Sequence, residues 1–128
     1  MAARCTLTTV TLAAPDPVGL ARFYARLLQW PEPVESDDDW IPLRNPDGGI
    51  GLAFQEEPTH VPPVWPQSGD AQQMQIHLEV LVDDLAEGLG HALASGARLA
   101  DFQPQEDVRV CLDPVGHPFC LWIETRDS

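Results

Sequence analysis

The alternation of apolar and polar positions divides the chain into two runs with the same order. Residues 6–14 alternate and are rich in β-branched side chains, which predicts a strand. Asp16-Pro17 then supplies a helix cap with proline at the first helical position, and Leu20, Phe23, Tyr24, Leu27 and Leu28 follow at helical spacing. Residues 74–82 alternate again. Asp83-Asp84 caps a second helix carried by Leu85, Leu89, Ala92 and Leu93, and Ser95-Gly96 closes it with a glycine suited to the left-handed C-terminal position. Three shorter strand patterns follow each helix, near 33–35, 40–44 and 50–55, then at 97–103, 108–112 and 118–124. Asn45-Pro46-Asp47-Gly48 and Asp113-Pro114-Val115-Gly116 precede the last strand of each run. Proline second and glycine fourth suit a type I turn.

The expected fold is therefore α+β, with two βαβββ modules in tandem at 5–57 and 74–126 of a single domain spanning 1–128. Residues 58–73 hold Pro58, Pro62, Pro63 and Pro66 and read as an extended connection, partly ordered by Trp65. Aligning the caps Asp16 and Asp84 sets Thr9 opposite His77.

Strand alternation sorts the side chains between two faces. Ile76, Leu78, Val80 and Val82 are expected under the second helix, leaving Gln75, His77, Glu79 and Leu81 on the open face. Val10, Leu12 and Ala14 face the first helix, with Thr9, Thr11 and Ala13 opposite. In the last strand of each run, Leu52 with Phe54, and Phe119 with Leu121 and Ile123, go inward. Gly51, Ala53 and Gln55, and Cys120, Trp122 and Glu124, go to the open face. Arg109 and Cys111 are the open pair on the strand at Val108.

Charge narrows the partners. Twenty acidic and seven basic residues give a net charge of −13, and every basic residue is arginine. Without lysine there is no Schiff-base nucleophile and no P-loop. The arginines are scattered, which argues against nucleic acid, and an anionic membrane surface would repel the chain. A neutral or cationic small molecule would not be repelled. Most carboxylates fall on caps, turns and loops: Asp16, Asp37 to Asp39, Asp83, Asp84, Glu106 and Asp107. Only Glu79 and Glu124 fall on the open face, with Arg109 as a neighbour, so a cationic ligand would depend on those two. Cys5, Cys111 and Cys120 form an odd set without close spacing, as expected of reduced thiols in the cytoplasm. Residues 1–15 are too polar for a secretory core, and no apolar run approaches the ~18 residues of a membrane helix.

His77-Leu78-Glu79-Val80, Asp83-Asp84-Leu85, Gly96-Ala97-Arg98 and the run from Asp113 through Gly116-His117-Pro118-Phe119-Cys120-Leu121-Trp122 resemble the vicinal-oxygen-chelate superfamily. The nearest likeness is to its glyoxalase-like, bleomycin-resistance-like single-domain members. Phe54-Gln55 before an acidic, proline-rich connection fits the same group. The resemblance implies mixed sheets curled around a central cleft, a homodimer, and a small molecule bound in that cleft. Activities in the superfamily range from glyoxalase, epimerase and ring-cleaving dioxygenase to drug sequestration, so the fold does not decide the function.

Metal-dependent members of the superfamily carry ligands on the first strand (usually His) and last strand (usually Glu) of each module. Here the first-strand places hold Thr9 and His77, and the last-strand places hold Cys120 and either Ala53 or Gln55. A threonine hydroxyl is a poor ligand for such ions, whereas cysteine binds zinc strongly. The resemblance with these replacements implies a binding or sequestration protein without a catalytic metal. Its ligand would touch Thr9, Trp40, Gln55, His77, Glu79, Cys120, Trp122 and Glu124, with tryptophan faces and carboxylates suited to a flat or cationic molecule. The alternative is a metal-dependent lyase, isomerase or dioxygenase. There His77 would act as ligand or general base, and one divalent transition metal would be held by His77, Cys120 and Glu124, with Glu79 another recruit. Cys120 beside His77 is also a thiol–imidazole pair, although most free cysteines are small apolar fillers. His60, His91 and His117 lack spaced partners and read as structural or solvated.

Overall fold

Asp16 and Asp84 cap the two helices as their positions require. Asp16 accepts a hydrogen bond from the Gly19 amide at 3.1 Å, and Asp84 accepts one from the Glu87 amide at 2.9 Å. In the computed structural model, which describes residues 3–34 and 39–124, the caps open α1 (Pro17–Leu28) and α2 (Leu85–Ser95). The expectations placed on Glu35, Asp37, Asp38 and Arg126 lie outside the described residues. Neither helix is long and apolar enough to cross a membrane.

The chain forms two compact units, Met1–His60 and Val61–Ser128. In the first, β1 (Thr9–Ala14) pairs in parallel with β3 (Gly51–Glu56), and β2 (Trp40–Leu43) pairs antiparallel on the other side of β3. In the second, β4 (Leu78–Leu81), β7 (Pro118–Trp122), β6 (Val108–Leu112) and β5 (Arg98–Leu99) lie side by side in that order. Two mixed sheets, each with one helix, give the expected α+β fold. The strand expected near 33–35 is absent at the described Pro33 and Val34, which form no sheet pairing. The strand expected at 97–103 shrinks to two residues. Beyond it the Gln103 side chain takes over the ladder, donating to the carbonyls of Ala100 and Val110 and accepting from the Val110 amide.

Both expected turns form. The Gly48 amide donates to the Asn45 carbonyl and the Gly116 amide to the Asp113 carbonyl, each at 3.0 Å. Asp113 does more than turn the chain. It is fully buried, and its carboxylate accepts from the amides of Val115 and His117 at 3.0 and 2.9 Å. His117 is consequently half-buried rather than solvated. Gly116 is required for two reasons: its φ is +96°, and an added Cβ would lie 2.7 Å from Pro62.

The cores of the two units differ in kind. Phe23, Tyr24 and Phe54 are buried in the first, with the Tyr24 and Phe54 rings stacked at 5.6 Å. The second is built on Ala92, Ala97, Ala100, Val110, Cys111, Phe119 and Leu121. Two residues expected in that core are not there. Ile76 is 67% exposed because β4 starts only at Leu78, so the sheet does not hold Ile76 under the helix. Leu93 is 43% exposed because α2 seats on Ala92 and Ser95, a step away around the helix.

Replacing Phe54 with alanine should cost about 3–5 kcal/mol, the range for deleting a buried ring. Urea unfolding followed by far-UV circular dichroism measures it. A loss below about 1 kcal/mol would show that the first unit does not depend on this ring.

Candidate functional site

Residue pairing in the second sheet assembles the chemistry. The parallel register sets Glu79 opposite Cys120, and the antiparallel register on the other side sets Val110 opposite Cys120. Glu79, Cys120 and Val110 thus form one row across three strands. The alternate positions, Leu78, Val80, Phe119 and Leu121, turn to the opposite face, where Phe119 and Leu121 are fully buried. The same register corrects the expectation for β6. Cys111 pairs with Phe119 and Arg109 with Leu121, so both lie on the face opposite Cys120, and Cys111 is fully buried. Val108 and Val110 take the open side instead.

His77 stands two residues before Glu79 and reaches the same row. Its Nε2 and the Glu79 Oε2 share a hydrogen bond at 2.5 Å, with both side chains partly exposed. The Cys120 thiol completes a cluster in which one nitrogen, one carboxylate oxygen and one sulfur all lie within 4.8 Å of one another. Burial pushes the Cys120 thiol up to about 12, and the Glu79 carboxylate adds to this as a negative neighbour and hydrogen-bond partner. Burial alone raises Cys111 to about 11.

These three groups open on a pocket of about 210 Å³ within the second unit. Trp65, Met74, Val108, Val110, Pro104 and Pro118 supply most of its apolar wall. Trp65 belongs to the proline-rich segment that read as a connection. It is held by its neighbours: its ring lies 5.7 Å from that of Phe102, and Val64 forms a bridge with Gln73. The rim at Pro104 and Gln105 is held by Arg109, whose Nη1 donates to the carbonyls of Gln105, Glu106 and Val108. Arg109 therefore serves as a loop clamp rather than as a counter-charge to Glu79.

The other predicted site residues are distributed differently. Trp122 pairs with Leu81 and Val108, one row along from Cys120, and does not line the pocket. Glu124 is exposed past the end of β7 and contributes no atom to the three-donor cluster; Glu79 takes that place. Thr9, Trp40 and Gln55 belong to the first unit. There Trp40 and Gln55 are cross-strand partners and both exposed, and the Thr9 hydroxyl donates to that of Thr8 at 3.2 Å. Ala53, fully buried, offers only a methyl group. The donor chemistry of the first unit's strands thus fits no transition metal. That of His77, Glu79 and Cys120 fits a divalent ion tolerant of sulfur, which bound there would supply Lewis-acid polarisation of a substrate oxygen. Trp65 and Met74 were the residues hardest to find in the sequence. The one signal was a bulky apolar ring among prolines, too costly to leave in water without a partner.

A family profile described as a glyoxalase-like domain matches residues 9–122. Among solved structures, a glyoxalase/bleomycin resistance protein/dioxygenase family enzyme from Burkholderia phytofirmans PsJN is 18% identical, with a TM-score of 0.69 over 93% of this chain and 98% of its own. A glyoxalase-related enzyme from Fulvimarina pelagi is 21% identical, with a TM-score of 0.64 over 93% and 88%. A glyoxalase/bleomycin resistance protein from Albidiferax ferrireducens T118 is 15% identical, with a TM-score of 0.63 over 92% and 98%. At these identities the likeness is one of fold. No curated protein matches the chain.

The raised thiols make a direct prediction. With its thiol at about 12, Cys120 at pH 8 is thiolate in only about one molecule in ten thousand. Iodoacetamide at pH 8, with a chelator present, should label the exposed Cys5 first and largely spare Cys111 and Cys120, as read by peptide mass spectrometry. Labelling of Cys120 as fast as Cys5 would contradict the site's electrostatics.

Proposed function

This chain belongs to the glyoxalase-like domain family, and from that premise we propose that its second unit binds a small, flat organic molecule in the Trp65 pocket. The observation that carries this reading is the pairing of an aromatic and apolar wall with one converging polar edge, His77, Glu79 and Cys120. Small-molecule sites are built this way, with apolar surface for affinity and a few polar groups for orientation. At about 210 Å³ the pocket is smaller than the ~300–1,000 Å³ of drug-sized sites, which favours a compact ligand. Glu79 facing a tryptophan-lined cavity favours a positively charged one, through the carboxylate and the ring face together. The chain's net charge of −13 attracts such a ligand at long range. Binding of this kind needs no metal.

A second reading, a lyase or isomerase, is favoured by the His77–Glu79 hydrogen bond. A carboxylate that holds an imidazole in place prepares it to accept a proton next to a carbonyl. The Cys120 thiol, held in its neutral form, suits a donor role better than a nucleophilic one.

A thermal-shift screen of aromatic ammonium, aliphatic ammonium and neutral aromatic compounds tests the first reading. An aromatic cation at about a hundred times its Kd should add about 2.7 kcal/mol, a rise in Tm of the order of 8 °C. Trp65→Ala should weaken binding about ten-fold and Glu79→Gln by a similar factor. A ligand that binds equally well to both variants would sink the proposal. Loss of turnover in His77→Ala, with ligand binding retained, would instead favour the second reading.

A further inference from the structure

We propose that a second pocket, at the β2 edge of the first sheet, binds a short zwitterionic peptide with apolar side chains, its carboxylate toward Arg44 and its ammonium toward Glu32. The inference lies in the other unit and does not depend on ligand binding at Trp65. The pocket has a volume of about 770 Å³, and Pro31, Pro33, Val34, Pro42 and Pro46 form its apolar wall. That volume falls within the ~300–1,000 Å³ of drug-sized sites. Thr9, Ala53 and Gln55, which stand at the superfamily's metal-ligand places, do not line it. The sequence accounts for the space. The Glu56 amide donates to the Asp39 carbonyl, so antiparallel alternation turns the backbone groups of Ile41 and Leu43 toward β3 and those of Trp40, Pro42 and Arg44 toward the open edge. Pro42 brings no N–H to that edge, and Pro33 brings none from the facing segment. The described residues of that segment form no ladder with β2, and a cavity lies between them and the strand. Ile41 and Leu43 are buried on the side of α1, so Pro42 and Arg44 project from the opposite face.

Two charges on the wall select the ligand. Among the described residues, the side chains of Arg44 and Glu32 have neither a hydrogen-bond nor an ion-pair partner, and they do not pair with each other. The remaining polar lining residue, Asn45, is engaged in its own turn: its Nδ2 donates to the Ile50 carbonyl and its Oδ1 accepts from the Asp47 amide. A simple anion would meet Glu32 and a chain of net charge −13, and a simple cation would meet Arg44. A zwitterion offers a carboxylate to the guanidinium and an ammonium to the carboxylate, and carries no net charge to be repelled. Proline rings have a fixed φ and no rotamer freedom to lose, so the apolar wall is in place before the ligand arrives.

Leucyl-leucine titrated into isotope-labelled full-length protein, followed by amide chemical shifts, tests the site. The amides of Glu32, Val34 and Arg44 should shift saturably, with a Kd below about 1 mM. N-acetylation of the dipeptide removes its ammonium and C-terminal amidation removes its carboxylate, and each should weaken binding at least ten-fold. Arg44→Gln should weaken the free dipeptide by a similar factor and leave the amidated form unaffected. Glu32→Gln should do the same for the free and the N-acetylated forms. Both side chains are exposed, so neither variant disturbs the core. Absence of a saturable shift in the wild-type protein at about 10 mM dipeptide overturns the proposal, and that result needs no variant to fold. Blocked dipeptides that bind as tightly as the free one overturn it too, as do shifts confined to the residues around Trp65. Trp65→Ala should leave the titration unchanged, so this proposal and the one for the second unit can fail separately.

Discussion

The parallel pairing of β4 with β7 is the constraint on which the site depends. It sets Glu79 beside Cys120, and His77, two residues earlier, follows onto the same side. A slip of one residue would turn Glu79 toward the buried face and present Leu78 or Val80 in its place. What prevents the slip is apolar: Phe119 and Leu121, fully buried on the other face, cannot be exchanged with Cys120 without exposing two large side chains. The Val82 amide continues the pairing past the strand end, donating to the Trp122 carbonyl at 2.8 Å. Hydrophobic burial on one side of the sheet thus dictates polar chemistry on the other.

Two ways of stabilising a small unit appear in one chain. The first unit uses aromatic volume, with Phe23, Tyr24 and Phe54 packed edge-on and stacked. The second has an alanine-rich core and relies more on polar fixtures: buried Asp113 at its turn, Gln103 continuing a ladder, and Arg109 tying a loop. Such fixtures bond the backbone, so they shape loops rather than fill space. The loop held by Gln103 and Arg109 supplies Pro104 and Gln105 to the pocket, and the segment anchored through Trp65 on Phe102 and Pro62 beside Gly116 supplies Trp65. The unit with fewer buried apolar side chains is the one whose cavity is lined by His77, Glu79 and Cys120.

Much of the fold was legible because local rules and global packing agreed. The caps at Asp16 and Asp84, both proline–glycine turns and the strand at 108–112 needed only spacing and turn chemistry. His77, Glu79 and Cys120 were legible as candidates from alternation. Their assembly was not, because it rests on which strands pair and in what register. The faces of β6 were misread for that reason: alternation gives two faces, but only pairing with Phe119 or with Cys120 says which is buried. Ile76 failed because periodicity overran the point where the strand begins. Trp65 was hidden by its setting, since prolines signal a connection and say nothing about what the connection packs against.

The central claim is that the proposed flat organic ligand binds in the second unit, in the pocket lined by Trp65, His77, Glu79 and Cys120. A crystal structure of the protein soaked with an aromatic ammonium compound tests it most directly. The predicted result is difference density lying against the Trp65 ring with its charged end toward Glu79. Density for the compound elsewhere, with this pocket holding only ordered water, would contradict the account.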